Sequence, residues 1–423
     1  MGHAPDSGSA PRRVIAVLGS GETSPTMVTL HRELVARFGS APPAAVLLET
    51  PYGFQENVAD ISARARSYFA RSVGLTVETA TGLRGAQDAG SAAGLAALRA
   101  ADWVFSGPGS PTYALAHWRD SPVADTLRDH VRLGRAMLVF ASAAACTLGS
   151  HALPVYEIYK AGSPPHWIPG LDLLAPLGLD VAVIPHYDNA EGGTHDTRYC
   201  YLGERRLRVL EAELPEGTAV LGVDEHTAIV VDRDAGTVDV RGRGGLTIRR
   251  HGHSTIIPAG RRVSLTELQD LVEGGEVVRL RPAEPAPAVP SPPPLSLPDL
   301  VRAAEGRFDA ALARHDAPTM VESILTLDRA IAEWADDTEE DEGADWARTV
   351  NHSLIVRLGK AAEHPADDLD EAVRLLLAAR TDLRLSGRFA VADLIRSALT
   401  AMNVTVEDTP DGTHWHRSPP RPE

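Results

Sequence analysis

Short apolar runs recur along the first part of the chain, and each stops at small or polar residues. Residues 13–18, 44–49, 75–79, 103–105 and 137–140 read as buried strands, and 56–73 between them as an amphipathic helix. Strands without polar alternation imply burial on both faces. The expected fold is therefore α/β, a mostly parallel sheet with helices on both faces. In such sheets chemistry gathers at the carboxyl ends of the strands. Gly19 to Glu22, 106–110, Ser142 and His186 fall at such ends. Residues 218–260 differ: short β-rich runs at 228–232, 237–241 and 247–250 predict an antiparallel edge to that sheet.

The pattern then changes. Residues 281–294 hold seven prolines in fourteen positions. Proline fixes φ and lacks the amide donor, so this stretch predicts an extended linker. Beyond it the apolar spacing turns helical, over 300–334, 346–362 and 368–402, with Ser296-Leu-Pro-Asp299 as a helix start and 336–345 as an acidic connector. The expected order is a disordered tail at 1–11, an α/β domain at 12–280, the linker at 281–295 and a small helical domain at 296–423.

Residues 138–149 carry the sharpest chemical signal. The apolar run halts at Ser142 and is followed by Ala143-Ala-Ala-Cys146. A strand that turns sharply into a helix lifts one side chain clear of the sheet, and only small neighbours tolerate the crowding. Ser142 is the lifted residue; a strand followed by an Ala-rich, Ser-capped helix fits the same letters. Cys146 lies one helical turn further in and is expected to face the interior. Upstream, residues 102–115 read as a strand, a loop holding Gly107 and Gly109, and a helix start. Downstream, 181–189 deliver His186 at a strand end, and Asp224-Glu225-His-Thr-Ala228 follows a further apolar run.

In order and spacing these segments resemble the S51 serine peptidases, cyanophycinases and aspartyl dipeptidases among them, over about residues 12–260. The resemblance implies a fold like that of class I glutamine amidotransferases and hydrolysis of a peptide or amide bond. By that likeness Ser142 is the nucleophile and His186 the base. Glu157 is the expected orienting acid, with Asp188 and Glu225 as rivals. Ala143 and Gly107 or Gly109 would donate to the oxyanion. Gly21, Glu22 and Arg198 would line the substrate pocket, Arg198 as a clamp for a carboxylate or as a plain surface residue. Phe140 and Ala144 stand where relatives have glycine, so a degenerate, non-catalytic adaptor for tRNA or translation factors is the alternative.

Residues 378–415 closely, and 300–375 loosely, resemble the carboxyl-terminal anticodon-binding region of bacterial cysteinyl-tRNA synthetases. The shared letters are Ala390-x-x-Asp393-x-Ile395-Arg396 and Glu407-Asp-Thr-Pro-Asp-Gly-Thr413-x-Trp415. The likeness implies contact with tRNA or an aminoacyl-tRNA, with Arg380, Arg384, Arg388, Arg396 and Trp415 as candidate RNA contacts. The His-Ile-Gly-His and Lys-Met-Ser-Lys-Ser signatures are missing, so no synthetase activity is expected.

Composition narrows the picture slightly. With 423 residues, 43% hydrophobic, the chain is long enough for two or three domains. A net charge of −16 argues against a broadly nucleic-acid-binding surface, so any RNA affinity must come from a patch. Two cysteines, Cys146 and Cys200, give no disulfide framework and no zinc cluster, and no metal or cofactor is expected. Residues 1–12 lack the apolar stretch of a secretion signal and no run of 18 apolar residues occurs. A cytoplasmic protein with no membrane contact is expected, with a homodimer among the open assemblies.

Overall fold

The computed structural model describes residues 13–83, 91–192, 194–275, 295–335, 337, 343–362, 369–409 and 412–417. The tail expected at 1–11, nearly all of the proline-rich stretch and most of the acidic connector lie outside them. The chain divides into two compact units, one essentially residues 1–294 and the other 295–423 without a short acidic stretch.

In the first unit the strands are β1 (Val14–Leu18), β2 (Ala45–Leu48), β3 (Val77–Thr79), β4 (Trp103–Ser106), β5 (Met137–Ala141), β6 (His151–Ala152), β7 (Ile168–Pro169), β8 (Val181–Ile184), β9 (Ala219–Val223), β10 (Thr227–Asp232), β11 (Thr237–Gly242), β12 (Gly245–Arg250), β13 (His253–Pro258) and β14 (Arg262–Ser264). The helices are α1 (Val28–Ala36), α2 (Val58–Tyr68), α3 (Ser91–Ala100), α4 (Pro111–Trp118), α5 (Pro122–Leu133), α6 (Ser142–Cys146), α7 (Val155–Tyr159), α8 (Gly203–Glu213) and α9 (Leu265–Glu273).

Among the described residues of this unit the strands form two sheets. One runs β14-β11-β10-β1-β5-β4-β2-β3, with β1 to β5 mutually parallel and β10, β11 and β14 antiparallel at one edge. The other runs β13-β12-β9-β8-β6-β7. The expected antiparallel edge is thus only half of what 218–260 builds. The strand β9, and the β12–β13 hairpin after β11, join the second sheet with the His186 strand, β8. The chain changes sheet at the Asp224–His226 turn. The end of β1 packs tightly there: a Cβ on Gly19 would sit 2.0 Å from the Asp224 carbonyl oxygen.

Side-chain alternation sorts the core. On β5, Met137, Val139 and Ala141 join a cluster with Leu30 and Leu34 of α1 and Ala65 and Tyr68 of α2. Leu138 and Phe140 point the other way, into a cluster with α3, α4, α5 and the inner face of the second sheet. The first sheet is therefore covered on both faces, as its apolar strands require.

The second unit is helical: α10 (Leu297–Leu312), α11 (Ala317–Trp334), α12 (Gly343–Ala362), α13 (Leu369–Leu385) and α14 (Phe389–Ala401), then a hairpin of β15 (Val404–Thr409) and β16 (Gly412–Arg417). Ser296 and Asp299 form a capping box at the start of α10, with proline in the first turn. Two expected helices are each split. At Asp316 the side chain accepts from the Thr319 amide and begins α11; at Gly387 a φ of +75° ends α13.

Candidate active site

The strand β5 is buried throughout and ends at Ala141. Ser142 then adopts a φ of +46°, the left-handed region that costs a non-glycine residue about 1–2 kcal/mol. The distortion turns the chain from strand to helix at one residue and leaves Ser142 half-buried between fully packed neighbours. Ala143, Ala144 and Ala145 are all buried, which explains the run of tiny residues. The Ala144 amide donates to the Gly107 carbonyl at 3.1 Å, tying the elbow to the glycine loop. Ala143 stands in the first turn of α6, where its own amide has no carbonyl one turn back within the helix.

His186 follows β8 and also has a left-handed φ, +48°. Its Nε2 lies 3.0 Å from Ser142 Oγ, and its Nδ1 lies 3.1 Å from Glu225 Oε1. A carboxylate can only accept, so Nδ1 carries a proton, and in the neutral ring Nε2 is left to accept from the serine hydroxyl. Glu225 Oε1 also accepts from Asn189 Nδ2 at 2.9 Å. Burial pushes Glu225 up, but the hydrogen bonds from His186 and Asn189 outweigh it and hold the carboxyl below its usual range. Burial pushes His186 down, and its hydrogen bond to Glu225, with the charges of Cys200, Glu225 and Glu22, reverses this and raises the imidazole to about 9. The serine, the imidazole and the carboxylate thus form one continuous chain of hydrogen bonds.

The expected acid, Glu157, is not the group that meets His186. It sits on α7, where its Oε2 accepts from Thr112 Oγ1 at 3.0 Å, so the carboxylate is engaged elsewhere. Asp188 is not the partner either: its Oδ1 accepts the Glu225 amide at 2.7 Å, fixing the turn that presents Glu225. Two acids closing one buried strand just before another were the sequence signal for Glu225. Spacing from the serine hides it, because the acid arrives from between the two sheets. Asn189, fully buried, carried no signal of its own.

The remaining candidates divide. Gly109 has a φ of +127°, and a Cβ there would lie 2.2 Å from the Pro51 carbonyl oxygen, so only glycine fits this turn. Gly21 likewise has a φ of +65° against the His226 ring. Glu22 is fully buried; its carbonyl accepts from His31 Nε2 at 2.7 Å, and its carboxylate lies close behind Gly107. Arg198 places Nε and Nη2 on Asp196 at 2.8 and 2.9 Å, so its fork is already filled by a carboxylate of the same loop. Cys146 is buried, and its hydrogen bond to Cys200, with burial, pushes its thiol well up. Phe140 is fully buried, 6.1 Å from Trp118, and its ring belongs to the inter-sheet core.

In the helical unit the arginines also divide. Arg380 is fully buried and binds Asp408 through both nitrogens, at 2.8 and 2.6 Å. Arg388 pairs in the same bidentate way with Asp328, at 2.8 and 2.5 Å. These two are committed to holding the fold, and Arg380 is sealed off from any phosphate. Arg384 and Arg396 are exposed. The Arg384 guanidinium lies 5.8 Å over the Phe389 ring, an exposed aromatic the sequence reading passed over. Trp415 is half-buried in the hairpin, opposite Val406 and packed on the helical core.

Residues 366–415 match the family model of the cysteinyl-tRNA ligase anticodon binding domain. Cysteine–tRNA ligases are among the similar curated proteins. That of Geobacillus sp. (strain WCH70) is 47% identical over 49 residues, 12% of this chain and 10% of that protein. That of Proteus mirabilis (strain HI4320) is 46% identical over 88 residues, 18% of this chain and 19% of that protein. The chain therefore spans between a tenth and a fifth of the length of these relatives. Two solved structures are similar to the N-terminal region. One is a peptidase from an acI-B1 Actinobacterium, at 20% identity and a TM-score of 0.47, covering 59% of this chain and 96% of that one. The other is a putative peptidase E protein from Listeria monocytogenes EGD-e, at 13% and 0.36, covering 58% and 98%. Among the described residues no helix is long and apolar enough to cross a membrane.

Proposed function

We propose that the N-terminal unit is a serine hydrolase of a peptide or amide bond and that the helical unit is a tRNA-recognition module. The observation that carries the first half is the unbroken path from Ser142 Oγ to His186 Nε2 and from His186 Nδ1 to Glu225. Ser142 Oγ attacks the carbonyl carbon while its proton passes to Nε2. The Ala143 amide and an amide of the Gly107–Gly109 loop donate hydrogen bonds to the oxyanion. Collapse breaks the C–N bond, and the imidazolium returns the proton to the leaving amine. Water then repeats the sequence in reverse on the acyl-serine. Glu225 orients the ring and supports its charge throughout.

What supports the second half is the matched 366–415 segment together with exposed Arg384, Phe389 and Arg396. An aromatic face beside a guanidinium suits a stacked base and a neighbouring phosphate. Such a module would bring the hydrolase to an aminoacyl-tRNA or to a synthetase. The test is a screen of dipeptides and aminoacyl amides with wild type and Ser142→Ala. Turnover confined to the wild type is expected; equal turnover, or none with any amide, contradicts the catalytic reading and leaves the adaptor.

A further inference from the structure

The loop after His186 contains a backbone arrangement that needs a cause. Tyr199, Cys200 and Tyr201 are all left-handed, with φ of +62°, +55° and +65°. Non-glycine residues visit this region singly, not three in succession, so the surroundings must impose it. The turn directs two amides at the base. Cys200 donates to the His186 carbonyl at 3.0 Å and Tyr199 to the Tyr187 carbonyl at 2.9 Å. The Tyr201 ring then lies 6.2 Å from the imidazole, stacked on Tyr159 at 5.2 Å, with its hydroxyl donating to Glu191 at 3.0 Å. The Cys200 thiol meets Cys146, the last residue of the nucleophile's helix.

What grips the turn is Tyr199. Its ring has the Arg198 guanidinium at 5.1 Å, that of Arg249 at 5.5 Å and the Tyr187 ring at 4.6 Å. Arg249, on β12, is nearly fully buried and is itself fixed by three bonds, to Glu211 at 3.0 Å and twice to Glu204 at 2.9 Å. A planar, pre-aligned guanidinium is the side chain that can hold two carboxylates and an aromatic face together.

We propose that the left-handed turn Tyr199–Cys200–Tyr201 is a clamp that sets the His186 ring against Ser142, and that Tyr199, gripped by Arg249, is its positioning residue. The inference rests on the assignment of Ser142 and His186 as nucleophile and base. The ionisable groups facing the imidazole include Glu225 from the β9–β10 turn, Asp188 two residues on, Cys200 and Tyr201 from the clamp and Glu22 from the loop after β1. A slack clamp lets the ring leave Glu225, so the imidazole titrates closer to its ordinary value.

The experiment uses the full chain and two readouts. One is the pH midpoint of the His186 ring by NMR, assigned with His186→Gln; the other is the rate at which a fluorophosphonate modifies Ser142. Tyr199→Phe keeps the ring and should stay within twofold of wild type with an unchanged midpoint. Tyr199→Leu should lose about tenfold in the rate on the high-pH plateau, where the imidazole is neutral in both proteins, and shift the midpoint down by at least one pH unit. Arg249→Lys, which keeps a charge on Glu204 and Glu211, should do the same more weakly and stands in if Tyr199→Leu does not fold. A folded Tyr199→Leu or Arg249→Lys with the wild-type midpoint and rate overturns the clamp. If the probe leaves wild-type Ser142 unmodified while the midpoint still moves in Tyr199→Leu, the hydrolase reading fails and the clamp stands.

Discussion

At the scale of single residues, the site is defined by two strained backbones and one proton path. Ser142 and His186 both sit at positive φ, each at the end of a strand, and the strain aims their side chains at each other. In the proposed mechanism His186 acts only when neutral, and its imidazole is raised to about 9. Modification of Ser142 by a fluorophosphonate should therefore rise with pH, close to tenfold per unit below 8, and level off around 9; a flat profile from pH 6 upward contradicts this. Replacing the orienting acid should be costly. Glu225→Gln should lose roughly 10²–10⁴ in rate, because an amide can favour the wrong tautomer. Glu157→Gln should stay within about threefold, since Glu157 touches Thr112 and not the imidazole. Parallel rate measurements on the two variants check both. Ser142 and His186 are legible in the sequence because each ends an apolar run. Among the three acids the sequence offers, nothing local singles out Glu225, because a turn between two sheets and not spacing brings it to the imidazole.

At the scale of elements, strand alternation decides the meaning of Phe140. Two residues before the serine, it points with Leu138 to the inter-sheet face and fills the core beside Trp118. The glycine expected there by resemblance is thus replaced without obstructing the serine. Phe140→Ala should cost about 3–5 kcal/mol of stability through the cavity it leaves. Urea unfolding of the full chain measures it, and a loss below 1 kcal/mol would contradict the packing. Order and class of the elements are legible from the apolar runs. The second sheet is not, since β9 and β12 read like the other short strands and only the turn at 224–226 reassigns them. The helix breaks at 316 and 387 are written in Asp316-Ala-Pro318 and Ser386-Gly387, signals that the longer apolar periodicity masks. The hairpin depends on a buried ion pair. Asp408→Ala strands the Arg380 guanidinium in the core, an error worth about 3 kcal/mol, at the low end because Asp408 is 41% exposed. Amide exchange in α13 and β15 of the full chain should quicken accordingly.

At the scale of the whole molecule, a chain of net charge −16 exposes Arg384, Phe389 and Arg396 on its helical unit. Two of the four arginines proposed for RNA are spent on Asp408 and Asp328, so few phosphates can be neutralised. Binding to tRNA should fall with salt, yet with a shallow slope, near one decade per decade of salt for each phosphate engaged. The combined variant Arg384→Ala and Arg396→Ala should abolish the shift in a gel, and an unaffected variant would remove RNA from the account. Composition pointed to a patch and not a surface; which arginines remained exposed only the packing of α13, α14 and the hairpin decides.

The central question is whether Ser142 is a nucleophile activated by His186. The most direct measurement is the mass of the peptide containing Ser142 after a fluorophosphonate is added to wild type, Ser142→Ala and His186→Gln. One phosphonyl adduct on Ser142 in the wild type, none in Ser142→Ala and only a trace in His186→Gln is the predicted result. An unmodified wild type, or equal modification in His186→Gln, would contradict it.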